Sequence, residues 1–284
     1  MTPPVLRTEL LAEAGGELLE GPCWDAGRAR LLVVDILRSE RLTYDWGTGD
    51  VSRGSGGDMP SAWIPRRGGG SVVATRAAIL LLDGDGAVER SIPFEADRPE
   101  NRANDARCDP RGRLWAGTMA LEEKEPTGAL YRLDGGPPER VIGDATISNG
   151  LGWSPDARRM YYIDSPTRRV DVLDYDLDAG VPRDRRALAD VSAFDGVPDG
   201  LAVDAEGGVW VAFFDGGAVR RFSPGGEHVA TIARPAARPT SCAFAGPGLD
   251  RLVITTARAP DRTGGDLYVC DPGVRGLAVS AYAG

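Results

Sequence analysis

The sequence predicts an all-β fold, and its details favour a six-bladed β-propeller. Short apolar or alternating runs, each followed by turn residues, recur along the whole chain, whereas extended helical periodicity is hard to find. The runs form similar units spaced by about 42 to 50 residues, a length typical of propeller blades. Six such units account for nearly all of the 284 residues. A β-sandwich or an irregular all-β domain is the alternative.

Each unit is a hairpin pattern in which two short strands flank a turn and Gly-rich residues follow. The first reads RARLLVVDILRSERLTYDWGTG and the fifth reads GGVWVAFFDGGAVRRFSPGG. In a closed ring every blade packs between two others, which protects the strand edges. We therefore expect a single propeller domain over residues 1–284. The six hairpins begin near Arg28, Gly70, Gly112, Ala157, Gly207 and Asp250.

The composition excludes several functional classes. Lys+Arg is 33 and Asp+Glu is 42, a formal net charge of -9, whereas a nucleic-acid-binding protein needs a basic surface. No apolar run reaches the length of about 18 residues that a membrane helix needs, and no signal-peptide pattern is present. We expect a cytoplasmic protein with no membrane or nucleic-acid partner, and nothing predicts a protein partner. Four scattered cysteines without a CxxC pattern indicate neither a zinc site nor disulfides: Cys23, Cys108, Cys242 and Cys270.

An oxygen-bearing side chain recurs in the segments that precede the hairpins, directly before a Gly. It is Glu20 in LLEGPCWD, Asn149 in ISNGLGWSPD and Asp199 in VPDGLAVDAEG. As turn residues, these side chains would be solvated, and turn formation alone accounts for the Gly. It does not account for three such side chains in register, because equivalent positions of radially arranged blades converge on the propeller axis.

A divalent metal ion explains this convergence better than turn formation does. Two carboxylates that meet without a cation repel each other, and one is then protonated at a cost. Two carboxylates and an amide suit a hard cation. We therefore expect Glu20, Asn149 and Asp199 to bind one divalent ion. Ca²⁺ tolerates such an irregular set completed by water, and Mg²⁺, Mn²⁺ and Zn²⁺ are alternatives.

Five segments, in order from Glu20 to Arg258, resemble the regucalcin–gluconolactonase family of six-bladed propellers. They are EGPCWD, RANDARCDPRGRLWAGTM, SNGLGWSPD, PDGLAVDAEGGVWVA and PTSCAFAGPGLDRLVITTAR. The resemblance implies hydrolysis of sugar lactones with one divalent ion in the central channel. It implies the ligands Glu20, Asn149 and Asp199, with Asn104 close by as a fourth ligand or a substrate contact. It also implies that Arg102 and Glu122 bind the sugar hydroxyls.

The implied chemistry needs no nucleophilic side chain. The single histidine, His228, lies outside every motif, and no GxSxG pattern accompanies it. A bound metal ion polarises the carbonyl of a sugar lactone, such as a gluconolactone or a pentonolactone, and lowers the pKa of water. Asp199 is the best candidate for the base that takes the proton from water. The sequence leaves open whether Asp199 is a ligand, a base or both.

Other functions fit parts of this pattern. A propeller hydrolase of phosphotriesters or of non-sugar lactones would use the same metal chemistry. A calcium-binding regulatory propeller needs only the oxygen ligands, whereas Arg102, Asn104 and Glu122 favour a pocket for a polyol. A strictosidine-synthase-like propeller would carry its catalytic Glu elsewhere and would lack the metal ligands.

Several neighbouring residues are expected to be structural. Asp105 follows Asn104 and, on an extended segment, points to the opposite side. We expect it to accept structural hydrogen bonds, with a secondary metal contact as the alternative. Trp115, Trp153 and Trp210 occupy matching places in their repeats, as core residues between blades would.

Overall fold

The computed structural model describes residues 3–233 and 236–284, and within these residues 25 β-strands form six sheets. One short 3₁₀ helix spans Ser165–Thr167. In chain order, the strands are β1 (Val5–Leu6), β2 (Glu9–Ala12), β3 (Leu19–Asp25), β4 (Arg30–Asp35), β5 (Glu40–Asp45), β6 (Val51–Ser55), β7 (Ala62–Pro65), β8 (Ser71–Ala74), β9 (Ala78–Leu82), β10 (Val88–Pro93), β11 (Asn101–Cys108), β12 (Leu114–Ala120), β13 (Gly128–Leu133), β14 (Glu139–Ala145), β15 (Ser148–Trp153), β16 (Arg159–Asp164), β17 (Arg169–Asp176), β18 (Val181–Asp190), β19 (Val197–Val203), β20 (Val209–Phe214), β21 (Ala218–Phe222), β22 (His228–Ala233), β23 (Pro239–Ala245), β24 (Arg251–Thr256) and β25 (Leu267–Cys270).

The sheets are the blades of a six-bladed propeller, which confirms the predicted fold class. Blades one to four are the consecutive antiparallel sheets β3–β6, β7–β10, β11–β14 and β15–β18. Blade five is β19–β22, and blade six consists of β23–β25 completed by β2. The predicted hairpins are the second and third strands of each blade.

The N-terminal segment closes the ring. Strand β2 pairs antiparallel with β25 as the outer strand of blade six, and β1 pairs parallel with β22 of blade five. Near the axis, the hydroxyl of Thr240 in β23 donates a hydrogen bond of 2.6 Å to the carbonyl of Leu19 in β3. The last blade is therefore joined to the first through both its inner and its outer strands.

Apolar side chains fill much of the space between blades. Between blades three and four, the rings of Trp115, Trp153 and Tyr175 have centroids 5.9 to 6.2 Å apart. Trp115 and Trp210 are fully buried, as expected for core residues. The indole of Trp210 donates to Asp204, whose carboxylate also accepts the backbone N–H groups of its own turn.

A C-terminal strap, residues 271–284, crosses one face of the propeller. It bonds to the loops after β19 and β23 through Arg275 and Gly276. It then reaches blades two and three, where the N–H of Tyr282 donates to Pro65 and that of Ala283 donates to Gly112. Because blades five and two lie on opposite sides of a six-membered ring, the strap crosses the axis at the carboxyl ends of the inner strands.

All four cysteines are buried and have free thiols. Over residues 3–233 and 236–284, no helix has the length and apolar character that crossing a membrane requires.

Candidate functional site

The three predicted ligands lie where the pairing of the innermost strands is irregular. Two residues of the inner strand oppose one residue of its partner at Asn149–Gly150 in β15 and at Asp199–Gly200 in β19. In β3 the same shift follows Glu20 directly. A bulge leaves residues unpaired and turns their side chains out of the sheet. The bulges thus place Asn149 and Asp199 at equivalent positions of two blades, and Glu20 one residue before the corresponding bulge of a third.

The glycines that follow these residues are required by close packing at the axis. A Cβ at Gly150 would lie 2.7 Å from the carbonyl oxygen of Asp199, and one at Gly200 would lie 2.1 Å from the hydroxyl of Ser241. Gly21 has a positive φ of 55° as well, and its Cβ would meet the backbone of Ser61. The ligand–Gly pattern in the sequence is therefore a signature of inner strands that approach each other.

Asn149 and Asp199 are in direct contact. The amide nitrogen of Asn149 donates to Oδ1 of Asp199 at 2.5 Å and to the hydroxyl of Ser165 at 3.1 Å. Both residues are buried, with 5% and 8% of their surface exposed. Within the described residues, the amide oxygen of Asn149 accepts no hydrogen bond. This oxygen remains available to an additional donor or a cation.

The site concentrates buried negative charge. Burial raises the pKa of Glu20 well above its usual value of 4.5, and the charges of Asp199 and Asp105 raise it further. Burial also raises the pKa of Asp199 to about 8; the hydrogen bond from Asn149 opposes this shift and the charge of Asp105 adds to it. Three carboxyl groups therefore repel one another in a poorly solvated place.

Arg102 is the cation that faces this cluster. Its Nη1 donates to the carbonyl of Ala103 and to Oδ1 of Asn104, both at 2.9 Å. The amide of Asn104 in turn donates to the carbonyl of Ser148 at 3.1 Å. Burial lowers the pKa of Arg102. Three acids oppose that shift through their charges: Glu123, Glu20 and Asp199.

The structure thus brings together five of the predicted residues and leaves one outside. Glu122, the predicted sugar contact, lies in an exposed turn after β12, and its role stays a prediction. The neighbouring Glu123, with a positive φ of 59°, is the acid whose charge acts on both Arg102 and Asp199. Sequence reasoning missed Glu123, because two adjacent acids in a turn do not reveal which one faces the site.

Asp105 accepts the backbone N–H groups of Ala106 and Leu151, as expected of a structural acceptor, but one of its oxygens lacks a partner in the described part of the chain. It occupies the bulge of β11 with Asn104, and its Oδ2 is buried without a hydrogen-bond partner among the described residues. Burial raises its pKa, while the charge of Arg107 and the backbone N–H of Ala106 oppose the shift. Burying a carboxylate oxygen without a hydrogen-bond partner costs free energy. Asp105 therefore adds negative charge to the site, and hydrogen bonds do not fully balance that charge.

The two ends of the channel differ in character. Beyond Asp105, the carboxyl-terminal halves of the inner strands line a cavity of about 290 Å³. Its walls include Trp153, Phe244 and Arg107, and Leu277 and Val279 of the C-terminal strap also line it. The predicted ligands lie towards the other end, before this cavity.

His228 lies far from this arrangement in the fold. It belongs to β22, the fourth strand of blade five, where its ring packs 5.1 Å from the ring of Phe194. Its Nε2 is within hydrogen-bond distance of the hydroxyl of Thr231 at 2.8 Å. Inner strands, not fourth strands, surround the channel, so the structure places His228 away from the predicted site.

The donor set fits a divalent cation chemically. In the described part of the chain, no group of three or more His, Cys, Asp or Glu side chains is placed to hold a metal ion. The predicted set instead combines two carboxylates, Glu20 and Asp199, with the amide oxygen of Asn149. Their mutual repulsion and the open amide oxygen are the features that a hard cation would relieve.

Comparison with known proteins agrees with this architecture. The family model described as SMP-30/Gluconolactonase/LRE-like region matches residues 18–258. An uncharacterised protein of Sulfolobus acidocaldarius is 41% identical over 272 residues, which cover 92% of this chain and 94% of that one. Regucalcin of Xenopus laevis is 34% identical over 298 residues, 98% of this chain and 99% of the relative.

A solved structure extends the likeness to three dimensions. The calcium-binding protein regucalcin from Agrobacterium tumefaciens superposes with a TM-score of 0.94 at 28% identity, over 99% of both chains. The resemblance drawn from the five sequence segments is confirmed by these matches. The chain belongs to the SMP-30/gluconolactonase family of six-bladed β-propellers.

Proposed function

We propose that this protein is a divalent-metal-dependent hydrolase that opens sugar lactones to aldonic acids in its central channel. The observation that carries the proposal is the buried cluster of Glu20, Asp199 and Asp105, whose charge Arg102 and Arg107 partly offset. Such a cluster is expensive unless a cation occupies it. Membership of a family that includes gluconolactonase supports lactones as the substrate class.

Glu20 and Asp199 would hold the ion through carboxylate oxygens, and Asn149 through its amide oxygen. Ca²⁺ is our choice of ion, since the similar Agrobacterium protein is described as calcium-binding; Mg²⁺, Mn²⁺ and Zn²⁺ are the alternatives to test. When bound, the cation supplies a Lewis acid that polarises the lactone carbonyl and lowers the pKa of water.

The polar residues around the ligands suit a hydroxylated ring. Arg102 is held by its bonds to Ala103 and Asn104, and its remaining N–H groups would donate to ring hydroxyls. Asn104 is fixed by the carbonyl of Ser148, which orients its amide. A site built to bond hydroxyls discriminates against substrates that lack them, because its own polar groups are then left unpaired.

Asp199 is the proposed base. In hydrolysis, water attacks the carbonyl carbon, the ring C–O bond breaks, and the ring oxygen gains a proton to become a hydroxyl. Asp199 would hold the proton that leaves the attacking water. Oδ1 of Asp199 is engaged by Asn149, so Oδ2 is the oxygen we assign to this transfer. The product acid ionises near neutral pH, which makes proton release a direct assay.

The test compares substrates and ions in one assay. Chelator-treated protein is given hexono- and pentonolactones, a lactone without hydroxyls and a phosphotriester, and each divalent ion is restored separately. We expect acid release from the aldonolactones only after an ion is restored. Calcium binding without any turnover would instead support a regulatory propeller, and preference for the phosphotriester would support the rival hydrolase.

A cytoplasmic location is part of the same proposal. The four cysteines are unpaired in the structure, as in proteins of a reducing compartment. Fractionation of cells that express the full chain would test this location.

A further inference from the structure

A second polar cavity lies outside the channel, between blades one and two. It has a volume of about 250 Å³, and four arginines line it: Arg28, Arg30, Arg41 and Arg53. Blades three and four, in contrast, meet through packed aromatic rings. Arginines between blades need a physical explanation, because burial of charged groups is costly unless they are paired.

The cavity is organised around the indole of Trp63 in β7. The guanidinium carbon of Arg41 lies 4.9 Å from the ring centroid, and that of Arg30 lies 5.6 Å from it. The indole nitrogen donates to the hydroxyl of Ser71 at 2.8 Å, which fixes the ring. Cation–π attraction thus holds two like charges over one aromatic side chain.

These two guanidinium groups keep unused donors. Arg30 donates through Nε to Asp25 at 3.1 Å, and Arg41 donates through Nε to the carbonyl of Ser55 at 2.7 Å. Over residues 3–233 and 236–284, their Nη nitrogens donate to no protein acceptor. A planar guanidinium with free Nη groups matches the oxygens of phosphate in pairs.

The carboxylates nearby leave Arg41 without a partner. Asp25 is shared by Arg28 and Arg30, and Arg53 pairs with Glu40 outside the cavity wall. No described carboxylate forms an ion pair with Arg41. Burial lowers the pKa of Arg41, and the charge of Arg30 lowers it further. Four arginines and three aspartates thus line the cavity, and Arg41 has no ion-pair partner among the described residues.

Two further acids, Asp83 and Asp85, also line the cavity. Asp83 and Asp85 belong to one turn, in which Oδ1 of Asp83 accepts the backbone N–H groups of Asp85 and Ala87. Asp85 is exposed. Neither forms an ion pair with a cavity arginine within the described residues. These acids border the cavity and leave the guanidinium groups over Trp63 open to an anion.

We propose that this cleft binds a small phosphorylated molecule, with the phosphate held by the Nη groups of Arg30 and Arg41. A phosphate monoester carries nearly two negative charges, which matches two guanidinium groups better than a single carboxylate does. The cavity has room for a phosphate and a short carbon skeleton. The paired hydroxyls of Thr43 and Ser52, also on the wall, offer hydrogen bonds to such a skeleton.

The test is a titration of the full chain with glycerol phosphate and with inorganic phosphate, followed by calorimetry and by phosphorus NMR. Chelator-treated protein is used, so that phosphate cannot bind through a cation in the channel. We expect one saturable site for glycerol phosphate with a Kd below about 1 mM. Free glycerol, which lacks the phosphate, should not bind.

Three variants locate the site. Arg41→Gln and Arg30→Gln should each raise the Kd at least about tenfold, because each substitution removes one guanidinium group that would bind the phosphate. The matched control Arg186→Gln changes an exposed arginine paired with Asp174 in blade four and should leave the Kd unchanged. If Arg41→Gln does not fold, Arg30→Gln and the wild-type titration still decide the matter.

Three results would overturn the proposal. They are the lack of saturation in the wild type, equal affinity in wild type and Arg41→Gln, and tighter binding of inorganic phosphate than of the monoester. The outcome is independent of lactone hydrolysis, because none of the cleft residues belongs to the channel site.

Discussion

The central channel gathers buried carboxyl groups and the arginine cleft gathers guanidinium groups, but the fold builds the two clusters differently. In the channel, Glu20, Asp105 and Asp199 come from three different blades and meet because inner strands converge on an axis. In the cleft, Arg30 and Arg41 come from adjacent strands of one blade and meet over Trp63 of the next. Convergence at the axis needs all the blades, whereas the cleft needs only two neighbours.

The two regions also respond differently to an absent counter-ion. Carboxyl groups escape mutual repulsion by taking up protons, so the pKa of Asp199 rises to about 8. Guanidinium groups stay charged across the physiological range and are stabilised by the aromatic face. The channel's charge therefore depends on pH and on a bound cation, while the charge of the cleft stays constant.

The largest effect should follow from removing a channel carboxylate. Asp199→Asn or Glu20→Gln should lower kcat/KM for aldonolactones at least about 10³-fold, because a metal ligand, and with Asp199 the base, is lost. Steady-state assays with saturating metal measure this. The matched control Asp195→Asn changes an exposed acid just before β19 and should keep wild-type activity. Either variant with more than a tenth of normal turnover and an intact fold would contradict the site.

A smaller loss should follow from changing the cation of the channel. Arg102→Gln should reduce kcat/KM about 10- to 100-fold on hydroxylated lactones, as expected for losing hydrogen bonds from a charged group. Arg102→Lys keeps the charge and should lose less. On a lactone without hydroxyls the reduction should be much smaller. An equal loss on both substrates would show that Arg102 does not recognise hydroxyls.

The next effect concerns the free energy of unfolding, whose dependence on pH should distinguish the channel from the cleft. The folded-state pKa of Asp199, about 8, exceeds its ordinary value of 3.8, so the folded cation-free protein holds a proton that the unfolded chain releases between these values. Its free energy of unfolding should then fall as pH rises through that window. Asp199→Asn should remove part of this slope, so that the variant gains stability relative to wild type as the pH rises from 4 to 8.

Denaturant unfolding at several pH values measures this difference. Arg41→Gln in the cleft should show the wild-type slope, because the guanidinium does not titrate in this range. Parallel curves for wild type and Asp199→Asn would mean that Asp199 is not a strained carboxyl in the cation-free protein.

The smallest effect is expected for the single histidine. His228→Ala should change kcat by less than about twofold, because the ring packs on Phe194 and Phe222 in the outer part of blade five. A lactonase assay at one saturating substrate concentration is sufficient. A loss beyond about tenfold would favour a histidine-based mechanism over one at the channel.

Much of the fold could be predicted, because each blade repeats a local hairpin whose turns and apolar runs are visible in sequence. The closure by β2 and β1 could not, since these short strands pair with residues more than 200 positions away. Nothing in their own pattern identifies those partners.

The candidate site, like the fold, could be predicted only in part from the sequence. Glu20, Asn149 and Asp199 could be singled out in the sequence because each is part of, or adjoins, a bulge that leaves a Gly. In β11 the bulge holds Asn104 and Asp105 without a Gly, so the sequence pattern did not reveal that bulge. The cleft between blades one and two could not be predicted from the sequence, because it combines arginines of blade one with Trp63 of blade two.

The most direct test of the channel assignment is a calorimetric titration of chelator-treated protein with Ca²⁺, with lactone hydrolysis followed on the same samples. We predict one ion bound per chain, activity that returns in proportion to the bound fraction, and loss of both in Glu20→Gln. Full turnover of an aldonolactone by protein free of divalent ions would contradict the account.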